Sequence, residues 1–287
     1  AGRILVPKYG TKLVMTLAFP IVTFSALLTV ISSSYFYFLL TFISGGIGWG
    51  ASGPIGGIHS QLIERHFKKI ITPYYAMGFN LGILLGGGLA GLIMRNNYEP
   101  YISFTILSFL SILVSYFVYS FGLPRDLDFK GEGEKFKFPE TNVLLFGFLL
   151  FFVFGSGGII MDWSTLWLSK DLNTPLYLAS MGLIFFSIGG IFANLFSNSL
   201  INLFTEKVVG CHFVMIGAAI MFLSLLTNNF YIILGVLCIY GFAIANLVPI
   251  IIRQAVKQSN ESIPMTVTNL ITIGLSSTMI LPAGIGF

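Results

Sequence analysis

The chain has 287 residues, of which 55% are hydrophobic and only 9% are Asp, Glu, Lys or Arg, against about 25% charged residues in an ordinary soluble domain. So few charges cannot cover a soluble surface of this size, which excludes a soluble enzyme, a disulfide-rich secreted protein and a disordered chain. The net charge of +4 comes from Lys and Arg in short loops, which favours membrane topology over a nucleic-acid-binding face.

Nine apolar segments predict nine transmembrane helices. A helix needs about 20 apolar residues to cross the hydrocarbon core. These segments are continuously apolar, whereas barrel strands alternate. The predicted spans are residues 12–32, 35–59, 70–94, 101–123, 142–167, 175–204, 208–226, 230–252 and 263–287.

The basic residues predict the orientation of these spans. Thirteen of the fifteen Lys and Arg residues fall on one side of the nine spans, and only Arg95 and Lys170 fall on the other. Because Lys and Arg accumulate on the cytoplasmic side, loops 60–69, 124–141 and 253–262 are predicted to be cytoplasmic. We expect a multi-pass protein of the cytoplasmic (inner) membrane.

One long connection predicts a two-part organisation. Residues 124–141 carry nine charges and two prolines, a composition typical of a solvated linker. We therefore divide the chain into an N-terminal half (1–123), this linker, and a C-terminal half (142–287). Similar basic turns at residues 8–12 and 206–210 hint at an internal repeat, as in many secondary transporters.

Polar residues inside the spans are the first functional candidates. Asp162 is the only acidic residue within a predicted span, which favours a coupling role, although its depth near the outer interface also suits an interfacial aspartate beside Trp163. Amides in the spans need hydrogen-bond partners. Among them, Asn80 and Asn246 lie on helices that also carry Gly or Pro, such as Pro249, and could bind a sugar or a zwitterion.

Glycine is abundant in the second and third spans. Gly46 and Gly50, and Gly82 and Gly86, are spaced four residues apart, which lets helix backbones approach closely in lipid. The pattern fits tight static packing, and it also fits helices that slide or bend during a transport cycle.

Charged residues near the predicted cytoplasmic ends are candidates for a gate. Glu64 and Arg65 follow the second span, and Lys8 and Gly10 lie in the first basic turn. A solvated helix end is the simpler interpretation of Glu64 and Arg65. We expect no metal site and no cofactor, and the absence of a hydrolase elbow, a phosphate loop or HExxH argues against an enzyme.

Several motifs resemble the major facilitator superfamily of secondary transporters. The stretches GSGGIIMDWSTLWLSKDL (155–172) and GFAIANLVPIIIRQAVK (241–257), with GGIGWGASG before Glu64 and Arg65, are similar to a bacterial branch of fucose-permease-like and other sugar transporters. The resemblance implies an incomplete two-half helical bundle, lacking helices one, most of two, and twelve. It also implies functional roles for Asp162, Asn246, Pro249 and Glu64.

The chain departs from this branch at several polar positions. Pro7 replaces an acidic residue, and Asn194 falls where a basic residue is expected in the eighth helix. The branch's other polar positions fall on Gly53, Gly57 and Ala76. These losses put in question the substrate and the coupling ion of the better-known members.

The sequence therefore predicts an all-α polytopic membrane protein that works as a secondary active transporter. We expect a monomer that moves a small polar organic solute by alternating access and couples this transport to H⁺. Its other partner is the lipid bilayer, and we expect it to bind no nucleic acid. The alternative is a non-transporting sensor, or an inactive truncated member of the same fold.

Overall fold

A computed structural model describes the backbone of residues 2–128 and 137–286. Residues 129–136 of the predicted linker lie outside the described residues, as do residues 1 and 287 and the side chains of residues 2, 3, 282, 283, 285 and 286. Within the described ranges, most consecutive helices are joined by connections of a few residues.

The prediction of an all-α membrane bundle is confirmed. Nine helical segments of the described residues are long and apolar enough to cross a membrane. In chain order the helices are α1 (Gly2–Ile31), α2 (Tyr35–Phe67), α3 (Thr72–Arg95), α4 (Tyr101–Phe121), α5 (Thr141–Lys170), α6 (Leu176–Ala179), α7 (Met181–Leu195), α8 (Ser197–Lys207), α9 (Phe213–Ser224), α10 (Phe230–Ala245), α11 (Leu247–Gln258) and α12 (Ile263–Gly286), with a π-helical turn (Val208–His212) between α8 and α9.

Helices α2 and α11 extend further than predicted. They end at Phe67 and Gln258, so the predicted loops 60–69 and 253–262 are mostly helical. The prediction was wrong here because it ended each helix where polar and charged residues begin. A helix continues beyond the hydrocarbon core wherever its polar side chains find partners.

Two tight turns share one backbone conformation. Gly10 interrupts α1 with φ 82° and ψ 159°, and Thr205 interrupts α8 with φ 69° and ψ 156°. The two residues are 195 positions apart, as are Pro54 of α2 and Pro249 of α11. An internal repeat of this spacing therefore relates the two parts of the chain.

Side-chain contacts near the two turns also repeat after 195 positions. Thr11 contacts His59, and the residues 195 positions later, Glu206 and Gln254, contact each other. The similar basic turns at residues 8–12 and 206–210 lie near this correspondence, which pairs residues 8–12 with residues 203–207.

Glycines bring α7 and α10 into backbone contact. A Cβ atom on Gly189 would lie 1.9 Å from the carbonyl oxygen of Cys238, and one on Gly241 would lie 2.0 Å from that of Phe186. No side chain fits at either position. This is the static packing role that small residues have in membrane helices.

Helices α1–α4, the N-terminal group, meet helices α5–α12, the C-terminal group, along two lines of contact. One runs between α2 and α12, and the other between α3 and α7. A hydrophobic core joins the groups, with Ile55 and Ile58 of α2 packed in the same cluster as Val267 and Leu270 of α12.

Candidate functional site

Asn246 lies at a break between two helices. Pro249 has no N–H to donate to the carbonyl of Ala245, which explains why α10 ends there and α11 begins. The Asn246 side chain is 1% exposed, and its Nδ2 donates to the carbonyl oxygen of Ala193 at 2.9 Å. Its Oδ1 is buried and has no partner.

A second buried amide lies on the facing helix. Asn194 is 1% exposed, and neither its Nδ2 nor its Oδ1 has a hydrogen-bond partner. It adjoins Ala193 and precedes the break between α7 and α8 at Phe196. The hydroxyls of Ser187 and Ser197 on the same helices are also buried without a partner.

Asn80 brings a third amide from the N-terminal group. It is buried on α3, and its Nδ2 donates to the carbonyl of Ala76 at 3.0 Å. A Cβ atom on Gly190 of α7 would lie 2.7 Å from Asn80 Oδ1, so the amide packs directly on the α7 backbone. Gly190 is one helical turn from Asn194. We call Asn80, Asn194 and Asn246 the amide cluster.

The amide cluster has hydrogen-bonding capacity that the protein itself does not use. Each buried donor or acceptor left without a partner costs about 1–3 kcal/mol, and Asn194 alone leaves both its donor and its acceptor unused. An amide can both donate and accept, and it carries no charge. The cluster is therefore suited to bind a neutral polar molecule or water.

One face of α2 is packed at one end and open at the other. Gly46, Gly50, Gly53 and Gly57 follow a helical spacing that places them on the same face. A Cβ atom on Gly57 would lie 2.8 Å from Val267, and one on Gly53 would lie 3.6 Å from Ile271, whereas Gly46 and Gly50 have nothing within 4 Å. The α2–α12 contact is thus tight towards the predicted cytoplasmic side and open towards the other.

Asp162 differs from the amides of the cluster in its exposure. Its side chain is exposed on α5, eight residues before the helix ends at Lys170. The buried polar atom nearest in sequence is the Ser164 hydroxyl, which has no partner.

The first predicted gate residue, Gly10, is at the centre of a buried polar cluster. The backbone N–H of Thr11 donates to Asp128 Oδ2 at 2.5 Å, and the Thr11 hydroxyl donates to the same oxygen at 3.0 Å. His59 Nδ1 lies 2.7 Å from that hydroxyl. Because the hydroxyl proton is used for Asp128, His59 Nδ1 is the donor in this contact.

Asp128 belongs to the predicted linker, yet it is 6% exposed. A Cβ atom on Gly10 would lie 2.7 Å from its Oδ2, so only glycine admits this carboxylate. The guanidinium of Arg125 donates to the carbonyls of Val6 and Pro7. The start of the linker is therefore fixed to α1, which the charge composition of the linker did not indicate.

The remaining gate candidates differ in their surroundings. Glu64 Oε1 accepts from the backbone N–H groups of Ile71 and Thr72 at 2.8 and 2.7 Å, so it caps the N-terminus of α3. Arg65 is exposed. Lys8 is also exposed, and its Nζ lies 5.0 Å from the centre of the Tyr9 ring.

A buried ion pair marks the turn that is related to Gly10 by the repeat. Arg253 Nη2 donates to Glu206 Oε1 at 2.6 Å, and Gln254 donates to the other oxygen of Glu206. The Arg253 side chain is 6% exposed. The sequence predicts a loop at Arg253. The internal repeat pairs Arg253 with Ile58, which lies 195 residues earlier and is buried in the core of α2, and this pairing indicates that Arg253 is buried as well.

The described residues contain no group of three or more His, Cys, Asp or Glu side chains that could hold a metal ion. Cys211 and Cys238 are free.

The nine apolar helical segments of the described residues are those of a multi-pass integral membrane protein. The model of the Major Facilitator Superfamily matches residues 2–282. The chain belongs to this superfamily, and the resemblance predicted from the sequence is confirmed at this level.

Similar proteins include an uncharacterized MFS-type transporter of Yersinia pestis, 23% identical over 99% of this chain and 74% of that protein. The membrane protein MosC of Rhizobium meliloti is 24% identical over 87% of this chain and 61% of its own length. These relatives are named as a transporter and a membrane protein, not as enzymes.

A solved structure has the same fold. The bacterial homologue of the human lysosomal transporter Spinster, in an inward-facing and occupied conformation, matches 95% of this chain and 68% of that chain, with a TM-score of 0.59 and 17% identity. At this identity, the similarity concerns the fold alone.

Proposed function

We propose that the protein is a secondary active transporter that moves a small, neutral, polar organic solute, such as a sugar, across the cytoplasmic membrane by alternating access. The observation that carries this proposal is the amide cluster: Asn80 of the N-terminal group packs on the backbone of α7, and Asn194 and Asn246 of the C-terminal group leave buried donors and acceptors unused. Membership of the superfamily supports transport in general.

The chemistry of the cluster supports the solute class. Asn80, Asn194 and Asn246 supply donors and acceptors without charge, and Ser187 and Ser197 add hydroxyls. Polyhydroxylated solutes pair well with such groups, because each hydroxyl both donates and accepts. The D-W-S motif at 162–164 and the A-N-x-x-P motif at 245–249 support a place in the sugar-transporter-like branch.

The glycine face of α2 supports alternating access. Gly57 packs tightly on Val267, while Gly46 and Gly50 have open space. In alternating access by a hinge motion, two packed groups of helices are in contact towards one side of the membrane while they are apart towards the other. We therefore assign the tight end to a cytoplasmic gate, to which Lys8 and Gly10 on α1 and Glu64 and Arg65 on α2 also contribute.

For the driving ion we propose H⁺, with Asp162 as the coupling carboxylate and Pro249 as the residue that holds the helix break at Asn246. Asp162 is the only acidic residue within a transmembrane span predicted from the sequence. Intramembrane carboxylates commonly serve as proton carriers.

The test is solute uptake by the full-length protein in proteoliposomes. We expect uptake of labelled neutral sugars or polyols that increases with an inward proton gradient. Asp162→Asn should remove the gradient dependence and preserve folding, while Asp171→Asn, at an exposed position just after α5, should change neither. If the wild type shows no flux of any solute, the protein is a sensor or an inactive member of the fold.

A further inference from the structure

The guanidinium of Arg253 is buried with only part of its hydrogen-bonding capacity used. Nη2 is bonded to Glu206, but Nε and Nη1 are both buried and have no partner.

A single bond to one carboxylate is a poor match for a buried arginine. A buried ion pair offsets its desolvation only when the remaining donors also find partners. Glu206 does not use both its oxygens on Arg253, since its Oε2 accepts from Gln254. The unpartnered Nε and Nη1 nitrogens therefore require an acceptor from outside the pair.

The surroundings favour an anion. Lys207 follows Glu206 directly and is exposed. It adds a second positive charge near the turn, where Glu206 is the acidic residue paired with Arg253. The guanidinium group binds phosphate well because its planar donors match the phosphate oxygens.

The position of the site also fits a phosphate. Arg253 lies near the predicted cytoplasmic end of α11, where the phosphate groups of the inner lipid leaflet lie, and basic pockets between helices on this side bind lipid headgroups. The Glu206 side chain is 25% exposed, whereas that of Arg253 is 6% exposed, so Glu206 is the partner of the pair that reaches solvent.

We propose that Arg253 forms a phosphate-binding site at the cytoplasmic end of the C-terminal group, with Glu206 as the internal carboxylate that occupies it in competition with the ligand. The phosphate belongs either to a lipid headgroup or to a soluble anion. This site is separate from the amide cluster and does not depend on the proposed transport function.

The experiment measures the thermal stability of the full-length protein with two probes. In detergent, inorganic phosphate is compared with chloride at equal ionic strength. In nanodiscs, phosphatidylcholine alone is compared with phosphatidylcholine containing phosphatidylglycerol. We expect at least one probe to raise the Tm of the wild type by several degrees, by mass action on the folded state.

Three variants test the mechanism. Arg253→Gln should abolish the shift, and Arg253→Lys, which keeps the charge but loses the planar donors, should reduce it strongly even if Arg253→Gln fails to fold. Glu206→Gln should enlarge the shift, because the competing carboxylate is removed. Lys257→Gln is the matched control on the same helix end and should keep most of the shift.

The outcomes separate the sources of the phosphate. A shift in nanodiscs alone supports a lipid headgroup, and a shift with inorganic phosphate alone supports a soluble anion. The proposal is overturned if neither probe shifts the wild type, if Lys257→Gln loses as much as Arg253→Lys, or if Glu206→Gln reduces the shift.

Discussion

The turn at Gly10 and the amide cluster differ in whether their buried polar groups have hydrogen-bond partners. Around Gly10, the N–H and hydroxyl of Thr11 both donate to Asp128, and His59 contacts the same hydroxyl. In the amide cluster, Asn194 has no partner for either of its side-chain polar atoms.

This difference separates structure from function. Polar groups that satisfy one another stabilise the fold, and their loss destabilises it. Polar groups left unused cost stability and persist where a ligand needs them. The first region should therefore respond to substitution in its stability, and the second in its activity.

The largest effect is expected from Gly10→Ala. The backbone at φ 82°, ψ 159° is nearly restricted to glycine, at a cost of about 1–3 kcal/mol for other residues. A Cβ atom would also displace the Asp128 carboxylate. We expect a loss of about 3 kcal/mol in the free energy of unfolding, measured by denaturant titration in detergent.

Gly46→Ala is the matched control for this change, because a Cβ atom there meets nothing within 4 Å. Equal destabilisation by the two variants would contradict the assignment of Gly10 as a structural position.

Asp128→Ala removes the acceptor of the Thr11 N–H and hydroxyl. A buried donor left without its charged acceptor costs about 1–3 kcal/mol, so we expect a loss of about 2 kcal/mol in the same titration. Asp171→Ala, at an exposed position after α5, should change stability little. If both variants unfold like the wild type, the linker segment does not stabilise the bundle.

Asn194→Leu tests the opposite behaviour of the amide cluster. Replacing an unpaired buried amide by an apolar group of similar size should leave the Tm unchanged or raise it. Uptake of the transported solute should fall at least about tenfold, since such a loss corresponds to about 1.4 kcal/mol. Asn202→Leu, at an exposed site on α8, is the control. A large fall in Tm would show that Asn194 is a structural residue.

The smallest effect is expected from Thr205→Gly. Thr205 adopts nearly the same backbone conformation as Gly10, but with a β-branched side chain. Glycine relieves this strain, but it also gives the unfolded chain more conformational freedom, which offsets part of the gain. We expect the free energy of unfolding to increase by about 1 kcal/mol. A loss of stability would mean that the Thr205 side chain contributes more than its backbone costs.

Much of the fold could be predicted from sequence, because charges are excluded from the hydrocarbon core and each helix satisfies its own backbone. Helix ends were harder to predict. Arg253 and Gln61 look like loop residues in the sequence, but their side chains are buried in helices that extend beyond the predicted spans.

The candidate site was only partly predictable. Asn246 was identified because it is an amide on a helix that also carries proline, and Pro249 because the A-N-x-x-P motif resembles the family pattern. Asn194 was noted as a departure from the family pattern, and only its burial without a partner makes it a candidate. The Thr11–Asp128 pair spans 117 residues of sequence, and no local pattern indicates such a contact.

Equilibrium binding of the transported sugar to the full-length protein tests the central claim most directly. If the solute binds between the two groups of helices, Asn80→Leu in the N-terminal group and Asn246→Leu in the C-terminal group should each weaken binding at least about tenfold, and Asn202→Leu should bind like the wild type. Binding that survives in Asn80→Leu but is lost in Asn246→Leu would place the solute within one group alone, and would contradict a site built from both.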